Sequence, residues 1–174
     1  MKYRLLLVLL ALLATACASE LPPIVGCVAA DGIRPVCDMQ TPEDIAALPD
    51  ERHLLLAHFG GMEGGTGSLS LFDTQDETLQ PLFPPESGDP VMSDASWGDP
   101  ACAAPDPGAF SPHGTHLHAL DDGRWRYLVV NHGGRESIEL FELILAGANS
   151  RLEWRGCLLP AAQTFMNDVV GLSN

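Results

Sequence analysis

Leu120 to Phe141 reads LDDGRWRYLVVNHGGRESIELF, and Leu48 to Phe72, LPDERHLLLAHFGGMEGGTGSLSLF, follows the same plan. Each has an acidic turn, an apolar strand ending in histidine, a Gly-Gly pair and then a serine-led alternating strand. Recurrence of one pattern along a chain marks an internal repeat, in which equivalent modules stack. The stretch leading into the second copy, FSPHGTHLHA from Phe110, sets His113 and His132 on neighbouring strands. His58 stands in the first copy where His132 stands in the second. A third copy begins at Asn167, where NDVVGLSN aligns with EDIAALPD from Glu43, so the chain reads as the front part of a larger repeat protein.

Asp44 to Leu48, His53 to Phe59, Ser68 to Asp73 and Thr78 to Phe83 are short apolar or alternating runs parted by turn residues, which is the strand signal. Between Gly114 and Leu159 the breakers Asp121-Asp122-Gly123, Gly133-Gly134 and Gly147-Ala148-Asn149 mark off four more strands. The alternation of Ser137 to Leu143 has period two, and Arg126 to Val130 is β-branched and aromatic. A helix start exists only at Thr41 to Leu48, where Pro42 and Pro49 leave little room for one. The fold class is therefore all-β. Four antiparallel strands per repeat predict β-propeller blades, here about two blades and the first strand of a third. Residues 84–112 hold seven of the fourteen prolines, so the ladder should break into a long loop, either functional or a disordered insertion. Trp97 and Cys102 argue that part of it packs. Two blades leave a sheet edge unpaired, so the chain is expected to be truncated, marginal by itself and inactive.

Residues 1–16 read as a secretion signal: Lys2 and Arg4 precede a Leu, Val and Ala run too short to span a bilayer comfortably. The run ends Ala14-Thr15-Ala16-Cys17, which resembles the lipobox at which bacterial lipoproteins are cleaved and acylated on cysteine. Cys17 is thus a lipidation candidate, with ordinary cleavage nearby as the alternative. The product is expected either in the periplasm or outer membrane as a lipoprotein, or secreted. Residues 17–40 follow as a tether and irregular segment, and residues 41–174 as the N-terminal portion of the propeller domain.

Loss of the signal takes the net charge from −14 to −16, with seven arginines and no lysine left. So acidic a surface repels phosphate backbones, which argues against a nucleic-acid partner and suits a divalent cation. Cys27, Cys37, Cys102 and Cys157 have no metal-ligand spacing and read as disulfide staples, with three connectivities open.

Each repeat opens with polar groups where propeller strands approach the axis: Glu43-Asp44, then His113-Gly114-Thr115, then Asn167-Asp168. Convergent carboxylates, carboxamides and carbonyls suit calcium, a hard ion with about six to eight oxygen ligands, better than zinc or copper. Turn capping by Asx side chains is the plainer reading of either pair alone.

Pro112-His113-Gly114, then YLVVNH from Tyr127 to His132, IELF from Ile138 to Phe141, Leu158-Leu159-Pro160 and Asn167-Asp168-Val169 together resemble the paraoxonase family. Its members are six-bladed propeller lactonases and arylesterases; strictosidine-synthase-like and gluconolactonase-like propellers are related to them. The resemblance runs from about Thr41 to Asn174 and covers the first part of the family domain. It implies calcium at Glu43, Asp44, Asn167, Asp168 and the Thr115 carbonyl, with His113 and His132 as a dyad that activates water. It departs from the family pattern in the longer loop before Pro112 and in Thr115, where an aliphatic residue is usual. Remaining calcium ligands of the family come from later blades.

The chemistry is consistent with these residue types. A cation on a carbonyl oxygen stabilises the charge that develops during water attack. Histidine is the natural base, His113 taking the proton while His132 fixes its tautomer. The function expected is a calcium-dependent hydrolase acting on a small-molecule lactone or aryl ester. Two alternatives stand beside it: a non-enzymatic calcium-stabilised binding module, and a gluconolactonase-type propeller enzyme. Propellers host many functions, so fold alone does not choose among them.

Overall fold

The structure, a computed structural model, describes residues 26–30, 32–61, 65–85, 92–147 and 149–172, with backbone alone over 92–95. Residues 1–16, read as a secretion signal, and Cys17 lie outside the described residues. The chain divides into two compact units, 1–37 and 38–174. In the first, a disulfide joins Cys27 to Cys37 and an isolated bridge pairs Ala30 with Ile33.

The second unit is all-β, with no helix among the described residues, and consists of two sheets. One is a four-stranded antiparallel meander of β1 (Pro42–Ala47), β2 (His53–His58), β3 (Ser68–Asp73) and β4 (Thr78–Phe83). The other contains β5 (Met92–Gly98), β6 (Pro112–Ala119), β7 (Trp125–Asn131), β8 (Ser137–Ile144) and β9 (Arg151–Leu158), in the order β5-β9-β8-β7-β6. β6 to β9 form a second antiparallel meander, to which β5 adds in parallel along β9.

The Pro-rich stretch is therefore not a continuous loop. Its prolines flank Met92–Gly98 without entering it, so every residue of β5 keeps an N–H for the ladder. Gly156 makes that pairing possible: a Cβ there would lie 1.8 Å from the Trp97 carbonyl oxygen. A second disulfide, Cys102–Cys157, ties the same stretch to β9, and the two bridges choose one of the three open connectivities. Both suit an oxidising compartment. No helix among the described residues is long and apolar enough to cross a membrane.

The repeat is visible in hydrogen bonding. Pro42 pairs with His58, and Pro112 with Asn131; each pairing has a register shift just after the proline. Phe59 N donates to Thr41 O at 3.0 Å, and His132 N to Ser111 O at 3.0 Å. His58 pairs with Ser68 as Asn131 pairs with Ser137. Glu43 is thereby the counterpart of His113, His58 of Asn131, and Phe59 of His132. This corrects the equivalence of His58 and His132 taken from sequence: Phe59 separates His58 from its Gly-Gly pair, whereas His132 abuts Gly133 and so falls one position past the strand end.

Central strands β2, β3, β7 and β8 are almost wholly buried, since neighbours cover both of their faces. The core joins Leu55, Ala57, Leu69 and Leu71 of the first sheet to Tyr127, Val129, Phe141 and Trp154 of the second. Phe83 is its seam, edge-on to Phe110 at 4.7 Å and to Phe141 at 5.2 Å. β1 and β6, the first strand of each meander, lie against one another. That contact places the polar openings of the two repeats side by side.

Candidate functional site

Glu43, Asp44, His113, Gly114, Asn167 and Asp168 line one cavity of 140 Å³. The residues expected to open three repeats thus converge, although Asn167 is 54 residues from His113 and 124 from Glu43; residues 167–172 form no strand, which corrects the expected first strand of a third blade. The convergence depends on Gly114. A Cβ there would stand 2.5 Å from the Asn167 carbonyl oxygen and 2.5 Å from Asp168 Cα, so only glycine lets residues 167 and 168 lie against β6. Thr115, expected to offer its carbonyl, does not line this cavity. Its N–H and hydroxyl both donate to Asp44 Oδ2, at 2.6 and 2.8 Å, which locks the carboxylate of β1 to β6. Asp168 Oδ1 accepts from Val169 N at 2.7 Å.

His113 Nδ1 lies 2.8 Å from the Asn167 carbonyl oxygen, which can only accept, so Nδ1 carries the proton. Nε2 is then left 3.3 Å from Glu43 Oε1. In a neutral ring these are two acceptors face to face, an arrangement relieved by a proton on Nε2, a bridging water or a cation. His132 has the same tautomer for a different reason: Nδ1 meets Glu136 Oε1 at 2.7 Å, and a carboxylate takes the N–H. Its Nε2 is buried with no hydrogen-bond partner among the described residues.

The two rings are edge-on with centroids 5.2 Å apart. No hydrogen bond joins them, so the tautomer of His113 is set by Asn167 and not by His132. Phe59 is edge-on to both rings, at 5.2 and 6.1 Å, and Phe165 stacks flat on His132 at 4.3 Å. Beside them a second cavity of 210 Å³ is lined by Phe59, Ser111, His132, Glu136, Phe165 and the backbone of Gly133 and Gly134.

The other histidines have different surroundings. His58 is 2% exposed, and both ring nitrogens are taken, by the Gln40 carbonyl at 2.5 Å and the Ser70 hydroxyl at 2.6 Å. His53 is held between Asp50 at 2.7 Å and Asp73 at 3.4 Å. His116 and His118 stack on each other further along β6.

Three carboxylates around the smaller cavity, with no arginine in its lining, leave negative charge to be balanced. The oxygen donors are of the type that calcium takes. Among the described residues, no three side chains of His, Cys, Asp and Glu make a metal site by themselves. A cation there would draw on the Asn167 carboxamide, backbone carbonyls and water as well.

Sequence reading did not find Glu136, Phe59 or Phe165. Glu136 lies in the Gly-Gly-Arg-Glu-Ser turn, which reads as a solvated bend; its spacing of four residues from His132 is the signal that could have found it. A scan against protein-family models gives no match to this chain, and a search of curated proteins gives no significant similarity.

Proposed function

We propose that this chain is the N-terminal portion of a calcium-dependent hydrolase of lactones or aryl esters, built as a paraoxonase-like six-bladed propeller. Support for the propeller reading comes from two meanders of equal plan whose first strands are adjacent. The observation that carries the functional reading is the meeting of Glu43, Asp44, His113, Asn167 and Asp168 on one cavity, with the His132 ring 5.2 Å from that of His113.

In this reading Glu43, Asp44, Asn167 and Asp168 would hold the cation, and calcium bound there would polarise the substrate carbonyl. His113 takes the proton of the attacking water at Nε2 and returns it to the leaving oxygen. The Asn167 carbonyl keeps Nδ1 protonated, so Nε2 is the basic atom. Glu136 holds the N–H of His132, and the pair supplies negative potential beside His113 as it becomes an imidazolium.

The test uses the full gene product. Chelation of calcium and, separately, His113→Gln should each abolish lactone and aryl-ester hydrolysis, the substitution by about 10²- to 10⁴-fold in kcat. Full activity after both removes the mechanism.

A second reading has an observation in its favour. Asp44 and Asp168 already accept hydrogen bonds from Thr115 and Val169, as structural carboxylates do. Calcium would then stabilise a binding module without turnover. Calcium-dependent thermal stability with no hydrolysis of any lactone or aryl ester selects that reading.

A further inference from the structure

A third cavity, of 250 Å³, lies at the other end of β6, five residues from His113 and so about 17 Å along the extended strand. His118, Asp121, Asp122, Arg124, Arg126 and Leu172 are among its lining, and it shares no residue with the two cavities above.

Both arginines of its lining lie against Trp97, as does Arg155 from outside the lining. Arg126 lies over the indole at 4.7 Å, with Arg124 at 5.4 Å and Arg155 at 5.8 Å. Two of these guanidinium groups are neutralised: Arg124 Nε donates to Asp122 at 2.7 Å and Arg155 Nε to Glu142 at 2.7 Å. Arg126 has no carboxylate partner among the described residues, and its Nε is buried without a hydrogen bond. The same is true of His118 Nδ1. Burial first, then Arg126 and His116, holds the His118 ring below its ordinary pKa, so it is uncharged at neutral pH. An indole under a guanidinium fixes its position, so the charge of Arg126 is set in place before any ligand arrives. Asp121 opposes an anion, but it is exposed and its field is screened by water.

We infer that this cavity binds the oxyanion group, phosphate or carboxylate, of a small ligand, with Arg126 as the charged anchor and His118 as a second polar contact. Leu172 supplies an apolar wall for the rest of the ligand. In a chain with a net charge of −14 a half-buried guanidinium with no carboxylate partner among the described residues is an exception, and an oxyanion is the group its planar fork matches best. The inference is independent of the hydrolase reading.

Calorimetric titration of the intact protein with inorganic phosphate, and separately with acetate, at constant ionic strength tests it. At least one should bind saturably with a Kd of about 1 mM. Arg126→Gln should weaken that binding about tenfold, the loss of one charge-assisted contact, while Arg151→Gln at an exposed pair leaves it unchanged. In the unsubstituted protein the Trp97 indole N–H resonance should shift on saturation, which keeps the test valid if Arg126→Gln does not fold. Phosphate preference over acetate, or the reverse, identifies the source of the oxyanion. No saturable binding of either, equal binding by Arg126→Gln, or binding that leaves Trp97 unmoved overturns the inference.

Discussion

His58 and His132 both end apolar runs before a Gly-Gly pair, yet their nitrogens have opposite fates. His58 is inside the ladder, with a partner for each nitrogen, whereas His132 is one residue beyond it, with Glu136 on one side and an unpartnered nitrogen on the other. Sequence reading expected the six cavity residues together, with Thr115, as the openings of successive repeats; the six line one cavity and Thr115 does not. It missed Glu136, whose only sequence signal is its spacing of four residues from His132, and Phe165, whose segment has no periodicity. Under the hydrolase reading, Glu136→Gln should lower kcat about tenfold. His132→Gln should lower kcat by a similar factor, and the double substitution by no more than either alone, because Glu136 acts through that ring. Additive losses would reduce Glu136 to a packing role.

Among elements, eight of the nine strands in the described residues were legible, because alternation and breakers coincide with their ends. β5 was hidden by the prolines around it, and its parallel partner β9 lies far off in sequence, where no local signal reaches. Gly114 on β6 is the element-scale determinant of the site. Gly114→Ala introduces a Cβ into the backbone of residues 167 and 168, and should cost about 1–3 kcal/mol in denaturant unfolding. If these residues hold calcium, the same substitution should also abolish the gain in Tm that calcium gives. A retained gain would place the ion elsewhere.

At the scale of the molecule, the bridge between Cys102 and Cys157 joins residues 55 apart in sequence and secures the Pro-rich stretch to β9 of the second sheet. The cysteine count announced staples, but connectivity was not legible, since any pairing satisfies composition. Paired replacement by serine should lower stability by about 4 kcal/mol, read as a shift of the urea midpoint. The acidic balance was legible from composition; its local exception, three arginines around Trp97, was not, because those residues are dispersed along the chain.

Residues 165–172 contribute Phe165, Asn167, Asp168 and Leu172 to three different cavities without joining either sheet. Where their amides reach the rest of the domain, they do so on titratable groups: Met166 N on Glu136 Oε2 and Gly171 N on His116 Nδ1. Both acceptors are side-chain atoms and not ladder carbonyls, so this strap is fastened at two points that single substitutions can remove without touching a strand.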